Sequence, residues 1–392
     1  MTEKYAEYLA ILCRNVIEGN KTEYIPEWLE PGVFFEFCVE HKLESPAFLA
    51  LSETDAHKLD ENVWTIFRDK YYQSIFLDST FAYYYDEITA AFREKGIEYL
   101  PMKGIILKRL YPSPELRQSA DLDLYIGSDE ETAGMTRDIM ERLGFRTNAF
   151  GKFGTADEYE NDDHVYVDLH RVLAHQEFSW TDECNSIVNR LSSADECERA
   201  MSDEDFYVFM VCHIAKHMAN GGIGIRSILD LWAYLRHFKE LNTGYINDML
   251  GRCKLTEFHK SLIRLMDHWF NGVEADDKTR RMAVYVAGSG WNGREEQWVA
   301  ASINTNAPHA GSVMSARLRY YAGTIFWSAE RLSGKYPILE KHSWLLPFCW
   351  VHRACNALVN KRGTVKDILH YYDGADINTA RSINSFRKEI GL

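Results

Sequence analysis

The sequence predicts an α+β protein, with a small mixed sheet set between N-terminal helices and a mostly helical C-terminal domain. Three observations lead there. Apolar residues recur at three- and four-residue steps over residues 1 to about 75, which is the spacing of a helix face. Between about 76 and 175 several short runs change to a period of two, the alternation of strands. After residue 175 the helical spacing returns and strand signals fade. The expected division is therefore a helical cap over 1–75, an α+β core over 76–175 and a helical domain over 176–392.

Taken in order, Tyr5, Tyr8, Leu9 and Leu12 line one helix face, and Phe34, Phe35, Phe37 and Cys38 line another after the Pro31-Gly32 turn. Ser79 is placed to cap a helix through FAYYYDEITAAFREK, with Gly96 as its stop. IEYLPM (97–102) reads as a buried strand, and Gly104 opens a short helical segment that Pro112 and Pro114 break. ADLDLYI (120–126) alternates polar with apolar as a half-buried strand should, and ETAGMTRDIMERL (131–143) returns to helical spacing and stops at Gly144. FRTNAF (145–150) is expected as a third strand, GKFGTADEYENDD (151–163) as a polar loop and HVYVDLH (164–170) as a fourth strand. Beyond them FYVFMVCHIAKHM, SILDLWAYLRHF, KSLIRLMDHWF and VKDILHYY carry helical spacing, with turns at 288–293 and 303–312. Tyr83, Tyr84, Tyr85, Trp327, Trp344 and Trp350 are expected in core packing, and the basic tail residues Lys361, Arg362, Arg381, Arg387 and Lys388 on a solvated helix face.

Composition narrows the function classes. The chain has 392 residues, and 44 Lys plus Arg against 58 Asp plus Glu give a net charge of −14. That weighs against a long nucleic acid as partner, because sequence-independent attraction to a phosphate backbone needs clustered cations. Apolar residues make up 46%, enough to bury a core and to exclude a mainly disordered chain. The eight cysteines show no CxxC pair, as expected of free thiols in a reducing compartment. Glu3 and Glu7 stand where a secretion signal would be basic and then apolar. The most apolar late segment, 344–359, contains Pro347, His352 and Arg353, short of the roughly 18 apolar residues that span a bilayer. A cytoplasmic location without membrane contact is the expectation.

The sharpest local signal is Asp121-Leu122-Asp123. Strand alternation puts both carboxylates on one face and Leu122 and Leu124 on the other, so one strand offers two oxygen ligands to a hard divalent cation. The later strand contributes Asp168 amid apolar residues; laid beside the first, it completes a three-carboxylate cluster able to hold two Mg²⁺ or Mn²⁺ ions roughly 3.5–4 Å apart. Ahead of the pair, Lys103-Gly104 forms a strand-to-helix turn where backbone N–H groups, a helix N-terminus and a lysine can meet a phosphate. Arg117 adds a forked donor suited to phosphate oxygens. Asp121, Asp123 and Asp168 are thus the expected catalytic and metal-ligating residues, and Lys103, Gly104 and Arg117 the nucleotide-binding ones. His170 shares the strand face of Asp168 and is read as a satisfied structural histidine rather than a catalytic one.

In MKGIILKRLY (102–111), LRQSADLDLYI (116–126) and VDLHRVL (167–173), the order Lys-Gly, Tyr111, Arg117, DxD and a strand ending in DLH resembles the uncharacterised nucleotidyltransferases of the polymerase-β-like superfamily. HIAKHMANGGIGIRSILDLWAYL (213–235) is similar to that family's later segment of paired histidines, a Gly-rich turn, Arg and Asp. His213, Lys216, His217, Arg226 and Asp230 are accordingly expected to border a substrate cleft. His213 and His217 share a helix face, but Ile214 stands where a zinc protease would carry Glu. The wider superfamily places a Gly-Ser pair at the phosphate turn, and here Ile105 follows Gly104.

The resemblance implies a nucleotidyltransferase core and an Mg²⁺- or Mn²⁺-dependent enzyme that moves a nucleoside monophosphate from an NTP to an acceptor: a small molecule, a protein side chain or tRNA. The alternative is a catalytically silent binding or regulatory module on the same fold, for which the missing serine leaves room. A third reading, a partner in a toxin–antitoxin pair, has no discriminating residue.

Overall fold

The computed structural model describes residues 2–149, 156–174, 178–291, 293, 326–327, 329, 332, 336, 338–360 and 377–392. Contacts divide the chain into two compact units: Met1–Lys216 with Ile223–Trp291 and Gly391, and His217–Gly222 with Asn292–Ile390 and Leu392.

The first unit begins with helices α1 (Thr2–Glu18), α2 (Pro31–Glu40) and α3 (Glu44–Ser52). The Glu30 carboxylate caps α2 by accepting from the amides of Gly32 and Val33, and Pro31 sits in the first turn, where its missing N–H costs nothing. Tyr5, Tyr8, Leu9 and Leu12 are buried as expected. The next helix is longer than its sequence signals. α4 runs from Glu61 to Glu94, 34 residues, and starts where Asp60 accepts from the amides of Asn62 and Val63. Ser79, expected to open a helix, lies in its interior and donates its hydroxyl to the Ile75 carbonyl. The buried stripe Phe67, Ser74, Phe81 and Ile88 recurs every seven residues, which keeps one face against the core over the whole length. Tyr84 and Tyr85 pack on that core, but Tyr83 is 58% exposed and corrects the expectation for it.

The sheet has five strands in the order β1-β2-β5-β4-β3: β1 (Leu100–Pro101), β2 (Leu122–Tyr125), β3 (Arg146–Ala149), β4 (Ala156–Glu160) and β5 (Tyr166–His170). β2 and β5 pair in parallel and the other pairs are antiparallel, so the sheet is mixed. Leu122, Leu124, Val167 and Leu169 point into a core closed by Ile88 and Phe92 of α4 and by Ile139 and Met140 of α6 (Glu130–Arg142). One element departs from expectation. Residues 156–160 fall in the segment read as a polar loop, yet they form β4, which pairs with both β3 and β5. The reason is Asp157, fully buried and ion-paired at 3.0 Å to Arg171 at the end of β5. A strand whose inward residue is a charge does not show apolar alternation.

After the short α7 (Thr181–Asn185) and a two-stranded ribbon of β6 (Ser192–Ser193) with β7 (Arg199–Ala200), α8 (Asp203–Asn220), α9 (Ile225–His237), α10 (Thr243–Arg252), α11 (Thr256–Asn271) and α12 (Asp277–Ala287) follow. α1 packs against α9, α11 and α12, so the first helix and the late helices of this unit share apolar surface. Seven cysteines, at 13, 38, 184, 197, 212, 253 and 349, are free and buried.

In the second unit the described helices include α13 (Ile338–Lys341), α14 (Leu346–Asn360) and α15 (Ile377–Glu389). Leu332, Leu339 and Cys349 make a small core with Trp327 and Trp350, and the Trp350 indole donates to the Trp327 carbonyl. Trp344, expected in the core, is 69% exposed. The expected helix at 365–372, the loop at 303–312 and the basic pair Lys361 and Arg362 lie outside the described residues. Among the described residues no helix is long and apolar enough to cross a membrane.

Removing one member of a buried ion pair strands the other charge. Arg171 keeps a second, exposed partner in Glu130, so Asp157→Ala should lower unfolding stability by about 2 kcal/mol, short of the full cost of a stranded buried charge. Asp157→Leu combined with Arg171→Met should recover most of the loss, both read by urea denaturation.

Candidate active site

The site grows from the register of two strands. In the parallel pairing of β2 with β5, Asp123 stands opposite Asp168 and Tyr125 opposite His170. Because side chains alternate, the leucines and valine enter the core and Asp123, Asp168 and His170 emerge together on the opposite face. Asp123 is 3% and His170 7% exposed. Ligand atoms of Asp123, Asp168 and His170 all lie within 4.8 Å of one another. Asp121 sits one residue ahead of β2 and interacts electrostatically with Asp123 and Asp168.

The Asp123 carboxylate is the hub. Its Oδ1 accepts from His170 Nε2 at 2.7 Å and from Lys103 Nζ at 2.5 Å. Lys103 reaches it from a strained backbone, with φ +45°, a region costly for a residue with a Cβ. The Met102 amide, bonded to the Asp123 carbonyl, ties that turn to β2. The helix that follows, α5 (Gly104–Leu107), is a single turn of four residues, too short for a strong end charge, so the cation at this turn is the lysine itself. Gly104 is required by close approach: a Cβ there would stand 2.4 Å from Ser119 Oγ and 2.7 Å from Arg117 Nη1.

Arg117 is held in a buried frame. Its Nε and Nη2 donate to the two oxygens of Asp230 on α9 at 3.2 and 2.9 Å, and its Nη1 donates to Ser119 Oγ at 3.0 Å. The Tyr111 hydroxyl donates to the same Asp230 at 2.8 Å. Two expected site residues, Arg117 and Asp230, are thus brought face to face, with Tyr111 and Ser119 beside them. Arg226, also on α9, donates to the Gln118 carbonyl just ahead of the DxD. His213 and Lys216 lie on α8, where they line a small cavity with Leu173, Phe178 and Trp180; the Lys216 charge is felt at His170. His217 falls in the second unit.

Charge explains how these groups ionise. Burial, then the neighbouring Asp123 and Asp121, push the Asp168 carboxyl up to about 7. Asp121 is raised by the Asp123 charge and by burial, against the pull of Lys103, Arg226 and Lys42. Burial works against the Asp123 carboxylate too, but Lys103 and His170 outweigh it and hold the group well below the usual carboxylate range. Burial and the Lys103 charge lower the His170 pKa, so the ring is neutral at pH 7. With Nε2 donating to Asp123, its buried Nδ1 has no hydrogen-bond partner among the described residues. Crowded carboxylates, one of them forced toward its neutral form, with an imidazole nitrogen within 4.8 Å of them, are a donor set that fits a divalent cation.

Two members of this neighbourhood were not assigned a part by the sequence. His170 was read as structural, although its i, i+2 spacing from Asp168 placed it on the right face. Lys42, between α2 and α3, is far away in sequence and carries no motif.

A family model described as an uncharacterised nucleotidyltransferase matches residues 29–271. No curated protein and no solved structure matches the chain.

The folded Asp168 carboxyl loses its proton near pH 7 and the unfolded one near pH 4. The folded state therefore holds the extra proton, and stability falls as pH rises between those values. Asp168→Asn removes that loss. In EDTA it should raise the Tm by roughly 2–4 °C at pH 8 and have little effect at pH 5, measured by differential scanning fluorimetry.

Proposed function

Because the chain belongs to the uncharacterised nucleotidyltransferase family, we propose that it transfers a nucleoside monophosphate from an NTP to a hydroxyl or phosphate acceptor and releases pyrophosphate, with Mg²⁺ or Mn²⁺ as cofactor. The observation that carries this reading is the in-register pairing of Asp123 with Asp168, with their ligand atoms in one cluster. Asp123 and Asp168, joined by Asp121, would hold the cation. Bound there, it would offset charge developing on the phosphate oxygens and favour ionisation of the attacking oxygen.

The chain's own residues supply the rest. Asp168 takes the proton of the acceptor. His170 positions Asp123 through its 2.7 Å hydrogen bond. Lys103 shields Asp123 and moves its ammonium toward an arriving phosphate, which offers more negative charge than a single carboxylate. Arg117, committed to Asp230 and Ser119, frames the Lys103-Gly104 turn instead of leaving it. His213 and Lys216 border the substrate on the His170 side. The free buried thiols suit a cytoplasmic enzyme.

Enzyme and silent module separate in one experiment. The parent should be stabilised by Mg²⁺ or Mn²⁺ with at least one of the four NTPs, since a ligand bound to the folded state raises its stability. Asp121→Asn should abolish that gain without loss of apo stability, because it relieves the repulsion from Asp123, whereas Asp123→Asn should abolish the gain and also lower apo stability, because it strips Lys103 and His170 of their shared partner. Nucleotidyl transfer, followed with labelled NTP in cell extract and mass analysis of the product, should fall at least about a hundredfold. The mass of the labelled product identifies the acceptor as small molecule, protein or tRNA. A parent with no metal-dependent shift for any NTP would sink the enzyme reading and leave the module.

A further inference from the structure

Two cations that act on Asp121, Lys42 and Arg226, have no part in the reaction above. Lys42 occupies the link between α2 and α3 with φ +52°, a left-handed backbone that lysine rarely adopts. Its neighbours enforce that conformation. His41 beside it is completely buried; its Nδ1 accepts from the Ile225 amide at the start of α9 at 3.3 Å, and its Nε2 faces the Ala287 carbonyl at the end of α12 at 3.2 Å. The Trp291 amide donates to the Glu40 carbonyl at 2.7 Å. Gly224 completes the clamp: a Cβ there would meet Trp291 Cα at 2.8 Å and His41 Nδ1 at 3.0 Å. The ammonium of Lys42 lies 3.9 Å from the centre of the Trp291 ring, so the aromatic face guides the side chain.

The clamp sets Lys42 near Arg226, whose own head group is tied to the Gln118 carbonyl. Both cations act on Asp121. Burial and the Arg226 charge push the Lys42 pKa down to about 8, while burial and the Arg117 charge lower that of Arg226. The Arg226 Nε is buried without a hydrogen-bond partner among the described residues. Two cations held close together against repulsion, facing one carboxylate, leave a positive surplus at the Asp121 end of the cluster. At the Asp168 end the added neighbour is Glu158, which stands opposite Asp168 in the pairing of β4 with β5. The cluster is therefore polarised, acidic on one side and basic on the other.

We propose that Lys42 and Arg226 seat the β- and γ-phosphates of the NTP, the pyrophosphate that leaves. This rests on the nucleotidyl-transfer reading. The bond that changes lies at the α-phosphate, beside the carboxylates, and the departing group must lie next to it on the side where positive charge is in excess. The N-terminal helices then contribute to phosphate binding as well as to packing.

The test compares parent, Lys42→Asn and Lys42→Arg by calorimetry and thermal shift. Asparagine tolerates the left-handed backbone and removes the charge; arginine keeps the charge. The probes are Mn²⁺ alone and Mn²⁺ with each NTP, with each NMP and with inorganic tripolyphosphate. Lys42→Asn should weaken NTP and tripolyphosphate roughly tenfold or more, the loss of one charge-assisted hydrogen bond. NMP and Mn²⁺ binding should be unchanged, and Lys42→Arg should stay near the parent. Unchanged tripolyphosphate and NTP affinity in Lys42→Asn, in a parent that binds NTP, overturns this assignment alone. Equal weakening of NMP also overturns it, since Lys42 would then act at the α-phosphate or on the fold. A parent that binds Mn²⁺ but neither NTP nor tripolyphosphate overturns the nucleotidyl-transfer reading itself.

Discussion

The parallel pairing of β2 with β5 sets Asp123 beside Asp168, and most features around it hold that pair in place or balance its charge. Two carboxylates at this separation in a buried setting repel strongly. Leu122, Leu124, Val167 and Leu169 lock the register from beneath, because a slip by one residue would turn apolar side chains outward and acids into the core. From above, Lys103 and His170 converge on one oxygen of Asp123. Burial, together with the repulsion left over, holds the proton of Asp168 to near neutral pH.

Much of this was legible because it depends on period and spacing. The DxD, the Asp168 strand and the order of helices and strands follow from alternation, and the structure bears out the α+β class. What sequence reading missed shares a different cause. β4 was hidden because its inward residue, Asp157, is a charge whose partner Arg171 lies just past the end of β5; no local pattern announces a pair made between separate segments. The start of α4 was missed because Asp60, not Ser79, caps it, and the intervening turns carry mixed polar and aromatic residues. Lys42 has no motif because its position comes from His41 joining segments that lie far apart in the chain.

Arg117 shows what a forked cation does in a buried setting. A guanidinium has a fork suited to phosphate, and equally suited to a carboxylate in a dry interior. Here Asp230 and Tyr111 meet it inside the fold, so its effect reaches the turn through Ser119, which fills the space that a side chain at 104 would take. The Arg226 bond to Gln118 fixes the approach to the DxD from the other direction. α9 thus braces both the Lys-Gly turn and the first acidic residue.

The contact between the Lys103 ammonium and Asp123 makes the lysine a tethered counterion. At rest it neutralises part of the acid cluster, which keeps three crowded carboxylates from destabilising the sheet they stand on. Any other cation that reaches this oxygen of Asp123 must first displace the ammonium, so the acid cluster carries its own competitor, held within reach by the backbone of the Lys103 turn.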